Sequence, residues 1–564
     1  MFHRYALGRP AMNVCLLTPA GTGMDVVGAG CVSSIAPMTC SSRGPAPVRQ
    51  HAAPGRVTLV PLLVVVALLA FACGGREPDD ADPDASIRWG PCRDGAVIGS
   101  SAARVECATL AVPLDPAVPR GRTITLAVAR LAAAQRSDAT VLINPGGPGA
   151  SGVDFLLGAA DRLAAQGFTA HSDVVAFDPR GVGASEPQIR CRTGAELDAE
   201  RNVDRGDRSE QGVAQAEAAN RADARRCSAR VGDEFLGLVG TSHVVDDVER
   251  LRIALGRSRV DFIGFSYGSK IGLDYGQRYP GRLFRLVVDG AVDPAADPID
   301  ASVAQARSFQ DVFDAFVRDC TEVPGCALGA DPAGALGRYQ GIVRALTHRP
   351  APAGPGRVLT FQSAVDGTSM ALYRNDLWPT LRSGLADLAA GRGGQTLMSL
   401  ADMLEGRRPG GTYDNSADAN LAIGCADGPR ITDRRLADDF ERRLRAAAPY
   451  SDDGRATGRA PLDTCAFWPP ASQATATEGH SASAAPSSAQ QVGPVAPAPL
   501  VIATTHDPAT PYAVGEAVAR RTRGTLVTVD GYGHTSAFHG NRCVDEAVDR
   551  YLSNPVGLNR SLAC

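Results

Sequence analysis

Neither sign of charge dominates this chain: 57 basic residues stand against 61 acidic ones in 564, for a net charge of -4, and no long basic run occurs. That balance argues against a nucleic-acid partner, whose recognition needs clustered Lys and Arg. Arginine-rich pieces such as Arg434-Arg435 and Arg442-Arg443 read instead as solvated helix faces. The spacings of a metal site are missing too, since there is no C-x-x-C and no H-x-x-x-H, so neither metal nor organic cofactor is expected. What is present is 44% hydrophobic residues, enough for a large single-core enzyme with an insertion or for two domains.

The run from Val57 to Cys73 is almost wholly apolar, with Arg49 and Arg56 before it and Gly74-Gly75 after it. That is the shape of a secretion signal, spanning 48–73. Leu69, Ala70 and Ala72 lead into Cys73 as in a bacterial lipobox, although Phe71 departs from the pattern. Lipidation at Cys73 would hold the protein to the outer face of a membrane; a plain signal peptide or short anchor is the alternative. Residues 1–47 would have to be threaded before the signal, and an early start codon is the expected explanation. Residues 74–88, rich in Asp and Pro, form a solvated tether.

Beyond Cys73 an even set remains: Cys92, Cys107, Cys191, Cys227, Cys320, Cys326, Cys425, Cys465, Cys543 and Cys564. In an exported chain these are expected as disulfides, each joined to its neighbour in sequence; composition leaves other connectivities open.

Short apolar strands and helical segments alternate over 89–294. Val105 to Leu114 and Thr123 to Leu131 alternate as an antiparallel edge pair, and Ala139 to Ile143 is a wholly apolar central strand. It runs into N-P-G-G-P-G-A-S-G (144–152), a loop too rich in Gly and Pro for helix or strand, whose free amides can face an oxyanion. A further strand, Asp173 to Phe177, ends in D-P-R-G-V-G-A-S (178–185), where Asp178 and Arg180 read as braces of a tight turn. Residues 194–235 are polar and helical, and Thr241 to Leu255 is an amphipathic helix capped at its start, where His243 sits away from catalysis.

The centre of the chain is Val260 to Tyr279. A buried strand runs into Gly264-Phe265-Ser266-Tyr267-Gly268, and a helix follows. In a G-x-S-x-G turn the serine is lifted out of the sheet in a strained conformation, and the flanking glycines let the helix cross close to the strand. After the strand from Leu283 to Asp289 the alternation stops, and 295–470 reads as a helical cap. Residues 471–498 are a low-complexity surface loop. The sheet resumes over 499–564: Pro499 to Thr504 ends at Asp507, and Gly524 to Val529 ends at His534.

The order Ser266, Asp507, His534, each at a strand's carboxyl end, is the order of an α/β-hydrolase: a mostly parallel sheet flanked by helices, here with an inserted helical cap domain. Ser266 is the expected nucleophile, His534 its base and Asp507 the acid that fixes the histidine tautomer. Asp289 or Asp293 could serve as the acid instead. Gly147 and Tyr267 are the expected oxyanion donors.

The body from Cys92 to Cys564 resembles the secreted tripeptidyl aminopeptidases of actinobacteria and their relatives among the proline iminopeptidase-like α/β-hydrolases. The resemblance rests on E-C-A-T-L-A-V-P-L-D (106–115), N-P-G-G-P-G-A-S-G, D-P-R-G-V-G-A-S, G-F-S-Y-G, D-P-A-T-P (507–511) and G-Y-G-H (531–534). Ser269-Lys270, where relatives often have threonine, and a long 471–498 insertion are departures. The resemblance implies an exported serine exopeptidase that releases short peptides from a free amino terminus. Asp427 is the candidate for the substrate ammonium, with a structural acid as the alternative, and Glu322 and Glu405 are weaker candidates. A cell-envelope carboxylesterase or lipase on the same triad, and a non-catalytic surface lipoprotein, are the competing readings.

Overall fold

A computed structural model describes residues 87–92, 104–469, 498–553 and 561–564. The expected extension, signal, Cys73 and nearly all of the tether and low-complexity loop lie outside the described residues.

The strands are β1 (Val105–Pro113), β2 (Thr123–Leu131), β3 (Ala139–Asn144), β4 (Ser172–Phe177), β5 (Val260–Phe265), β6 (Leu283–Asp289), the two-residue pair β7 (Ala351–Pro352) and β8 (Val358–Leu359), then β9 (Leu500–His506), β10 (Thr525–Tyr532) and β11 (Leu562–Ala563). Nine of them form one sheet in the order β1-β2-β4-β3-β5-β6-β9-β10-β11. Only β2 runs against its neighbours; every other pairing in the sheet is parallel. This is the α/β-hydrolase arrangement expected. Strands β3, β4 and β5 are buried nearly end to end because helices cover both faces, which is why they read as apolar runs rather than alternating ones.

One face of the sheet packs on the helices Thr241–Ala254 and Tyr267–Arg278, through residues such as Val244, Leu251, Ile271 and Tyr275. The other packs on Gly152–Ala164 and Arg542–Ser553, through Leu156, Ala160, Val544 and Val548. A separate apolar core built on Phe309, Phe313, Phe316, Tyr339 and Phe361 holds the insertion between β6 and β9 together. Those aromatic residues lie on the helices Pro298–Thr321, Ala335–Arg344 and Phe361–Leu372. The insertion is not purely helical, because it includes the β7-β8 pair.

The insertion between β6 and β9 does not stand apart from the residues before β5. Residues 192–217, after β4, are tied to the cap by ion pairs: Arg192 to Asp418, Arg201 to Asp402, Asp198 to Arg407, Arg208 to Glu441 and Glu217 to Arg434. A charged face that looks solvated in sequence is here a buried or half-buried seam.

Two local expectations also change. The helix beginning at Thr241 has Gly240 as its N-cap, with no side-chain cap from its own segment. Strand β11, too short to show periodicity, adds to the far edge of the sheet beside β10, and Cys543–Cys564 fastens it to the preceding helix. The other bridges are Cys92–Cys107, Cys191–Cys227, Cys320–Cys326 and Cys425–Cys465, so each cysteine joins its sequence neighbour.

Candidate active site

Ser266 sits between β5 and its helix at φ 52°, ψ -126°, a conformation that a non-glycine residue holds only when its surroundings enforce it. Those surroundings are glycines. A Cβ on Gly264 would lie 2.3 Å from the Gly268 carbonyl oxygen, and one on Gly268 would lie 2.4 Å from that of Asn144. Any side chain there would push the helix off the strand. The Ser269 hydroxyl then donates to the Ser266 carbonyl and accepts from Val292 N–H at 2.8 Å, which locks the turn.

His534 leaves the end of β10. Its Nδ1 lies 2.9 Å from both carboxylate oxygens of Asp507, and both residues are almost wholly buried. Asp507 is itself fixed: Oδ1 accepts Ala509 N–H and Thr510 N–H at 2.8 Å, and Oδ2 accepts the Thr510 hydroxyl at 2.8 Å. These bonds aim the carboxylate at Nδ1, so the ring carries a proton there and presents Nε2 as a base. Above the ring, Tyr373 of the cap meets His534 edge-on at 5.5 Å, and its carbonyl accepts His534 N–H at 3.0 Å.

Ser266 Oγ and His534 Nε2 are both buried, and neither has a hydrogen-bond partner among the described residues. Buried polar atoms without partners are rare in folded proteins. Several other buried side-chain atoms share that state among the described residues; these two differ in being the atoms between which a proton would move, a bond that is often open before substrate binds.

The glycine-rich loop lies against this serine. A Cβ on Gly146 would sit 2.4 Å from Phe265 O, 2.9 Å from Tyr267 N and 3.0 Å from Ser266 Cβ. The loop is shaped by Asn144, whose Oδ1 accepts Gly146 N–H at 2.9 Å, and by left-handed Gly146, Gly147 and Gly149. From the cap side, a Cβ on Gly149 would meet Ser416 O at 2.7 Å and Asn420 N at 2.8 Å. Loop and cap helix are therefore in direct contact.

Neither alternative acid partners the histidine. Asp293 pairs with Arg521. Asp289 accepts Ser536 N–H and Ala537 N–H, the amides just beyond His534. Asp178 and Arg180 are braces, as expected. Asp178 accepts the Ser151 hydroxyl and the amides of Val153 and Ala184, and burial pushes it up to about 6. Arg180 makes a two-pronged pair with Asp247 at 2.7 Å.

Asp427 takes the alternative role, that of a structural acid. Its carboxylate accepts both the amide and the hydroxyl of Thr241, capping that helix from another part of the chain, and the Thr241 hydroxyl also bonds the Tyr267 phenol at 2.6 Å. It steadies the residue after the nucleophile rather than offering a free anion. Glu322 ends a helix in an exposed position, and Glu405 lines a cavity with Arg201 and Asp366 that neither Ser266 nor His534 lines.

The description of the alpha/beta hydrolase fold matches residues 139–540. The chain belongs to this family. Within the family it is 41% identical to a protein named serine protease Hip1 of Mycobacterium tuberculosis over 507 residues, covering 87% of this chain and 94% of the relative. It is 39% identical to carboxylesterase B of the same species over 476 residues, covering 84% and 89%. A tripeptidyl aminopeptidase of Streptomyces lividans is 28% identical over 492 residues, covering 85% and 87%. The chain is a serine hydrolase of the alpha/beta fold, and its disulfides fit an oxidising compartment.

Proposed function

We propose that this hydrolase is an exported serine exopeptidase that releases short peptides from the free amino end of its substrate. The observation that carries the mechanism is the pair of buried atoms Ser266 Oγ and His534 Nε2, without partners among the described residues, with both Asp507 oxygens within 2.9 Å of His534 Nδ1. The names of two relatives, a serine protease and a tripeptidyl aminopeptidase, support peptides as the substrate class.

Ser266 Oγ attacks the scissile carbonyl while His534 Nε2 takes the hydroxyl proton, and Asp507 stabilises the imidazolium that forms. The carbonyl oxygen, now carrying negative charge, is held by the amides of Gly147 and Tyr267. Tyr267 suits this role because the first amide of a helix has no intrahelical acceptor. His534 returns its proton to the leaving amine, and water then releases the acyl group by the same steps in reverse order. The cap over the site limits access to chain ends. Export and an acyl anchor at Cys73 belong to the same proposal.

A carboxylesterase is the second reading, favoured by the name of the 39% identical relative, because ester and amide acyl transfer use the same residues. A panel of free-amino tripeptidyl amides, the same amides with blocked amino ends, and short acyl esters separates the two, with Ser266→Ala as control. Rapid cleavage of free-amino amides alone is expected. Equal cleavage of blocked amides sinks the exopeptidase reading, and activity on esters only favours the esterase. Labelling of Ser266 by a fluorophosphonate excludes a purely binding role.

A further inference from the structure

Asp289 ends β6 and is almost completely buried. Its main-chain carbonyl accepts Ser266 N–H at 2.9 Å. Its side chain reaches the other half of the site, where Oδ2 accepts Ser536 N–H at 2.8 Å and Ala537 N–H at 2.7 Å. Gly290 continues the contact: at φ +70° it lies so near the ring that a Cβ would be 3.2 Å from His534 Cε1 and 2.8 Å from Thr510 Oγ1. One residue thus grips the nucleophile's amide with its backbone and the segment just past the base with its carboxylate.

Taking Ser266 and His534 as nucleophile and base, a premise shared with the proposed function, we infer that Asp289 is a positioning residue that sets the separation between the Ser266 turn and the His534 loop. The loop needs such a hold. Gly533 lies at φ +135° and Thr535 at φ +65°, so the backbone on both sides of His534 occupies conformations with little stiffness of their own or some strain. The bond to Asp507 sets the tautomer and rotation of the ring, whereas the height of the loop over the sheet is set by the amides that follow it. A carboxylate accepting two amides on one oxygen makes short, charge-assisted bonds. Burial pushes Asp289 up to about 6, with the two amides opposing that shift. Asp289 touches no reacting atom; it acts through the placement of His534.

Because both amides converge on Oδ2, an asparagine carbonyl can take over the role, whereas alanine cannot. The experiment compares kcat and KM of wild type, Asp289→Ala, Asp289→Asn and Ser266→Ala on the best substrate of the panel above, with thermal melts to establish the folded fraction. Asp289→Ala is expected to lose about a hundredfold in kcat at unchanged KM, the cost of a reacting group displaced by about 1 Å. Asp289→Asn is expected to recover most of that loss. Should Asp289→Ala not fold, Asp289→Ser, which leaves room for water to take the two amides, replaces it in the same comparison. A wild-type kcat in the Ala or Ser variant, or an Asn variant no better than Ala, overturns the positioning role. Full turnover by Ser266→Ala would instead overturn the premise, so the two failures are distinguishable.

Discussion

The side-chain amide of Asn420, on the cap helix Ser416–Asp427, donates to the Pro148 carbonyl of the glycine-rich loop at 2.9 Å. The cap helix therefore holds the loop proposed to carry an oxyanion donor. Asn420→Ala leaves a buried carbonyl without that donor, a loss of about 1 to 3 kcal/mol, felt where the loop must hold still. Turnover is expected to fall about tenfold to a hundredfold, in kcat more than in KM. A loss confined to KM would show that the cap helix shapes substrate binding only.

Gly146→Ala tests the loop itself. The new methyl would be driven into Phe265 O and Tyr267 N at a φ of +92°, so loop and nucleophile turn must part. Loss of oxyanion stabilisation costs about 10²- to 10³-fold in kcat, and that loss is expected here with the protein still folded. Gly337→Ala, exposed on a cap helix with nothing near its Cβ, is the control and should leave kcat unchanged. Near-normal turnover by Gly146→Ala would remove the loop from the mechanism.

Arg180→Met separates bracing from chemistry in the D-P-R-G turn. It strands Asp247, which burial already holds above the ordinary carboxylate range, and breaking a buried pair in this way costs about 3 to 5 kcal/mol. Chemical denaturation should register that loss, while kcat per folded molecule stays the same. A stable variant with lost turnover would reverse the assignment.

Asp261, buried at the start of β5, is pushed up to about 7 by desolvation, with Arg285 opposing the shift. A carboxyl whose pKa is higher folded than unfolded binds more protons in the native state between the two values. Its contribution to stability therefore falls as pH rises from about 4 to about 7, then levels off. Asp261→Asn lacks this dependence. The melting temperature of the variant minus that of wild type should climb across that interval and be flat above it; a difference that falls with rising pH contradicts the assignment of the titration to Asp261.

Much of the fold was legible because its signals are local. Strands β3, β4, β5 and β6 are short, largely apolar runs, and the G-x-S-x-G turn announces its own geometry through the two glycines that the crossing helix requires. The seam between residues 192–217 and the cap was not legible. Its arginines and acids look like solvated faces until partners more than 180 residues away are brought opposite them. Asp427 illustrates the same limit: an acid beside a cysteine in a helical segment resembles a free ligand, and only the approach of Thr241 reveals a cap supplied from outside. Tyr373 and Asn420 carried no signal either, since a tyrosine and an asparagine in cap helices have no pattern that points at a distant loop.

Chain order and turn chemistry alone named Ser266, Asp507 and His534, since a nucleophile elbow, an acid and a histidine after successive strands are properties of short stretches. Which of several acids faces the imidazole is another matter. Asp289 ends β6, Asp293 follows it and Asp507 follows its neighbour β9, and their fates diverged only when neighbouring amides and Arg521 claimed particular lone pairs. Hydrogen bonds are directional and short-ranged, so the assignment awaited the packing that decides who stands within 3 Å of whom.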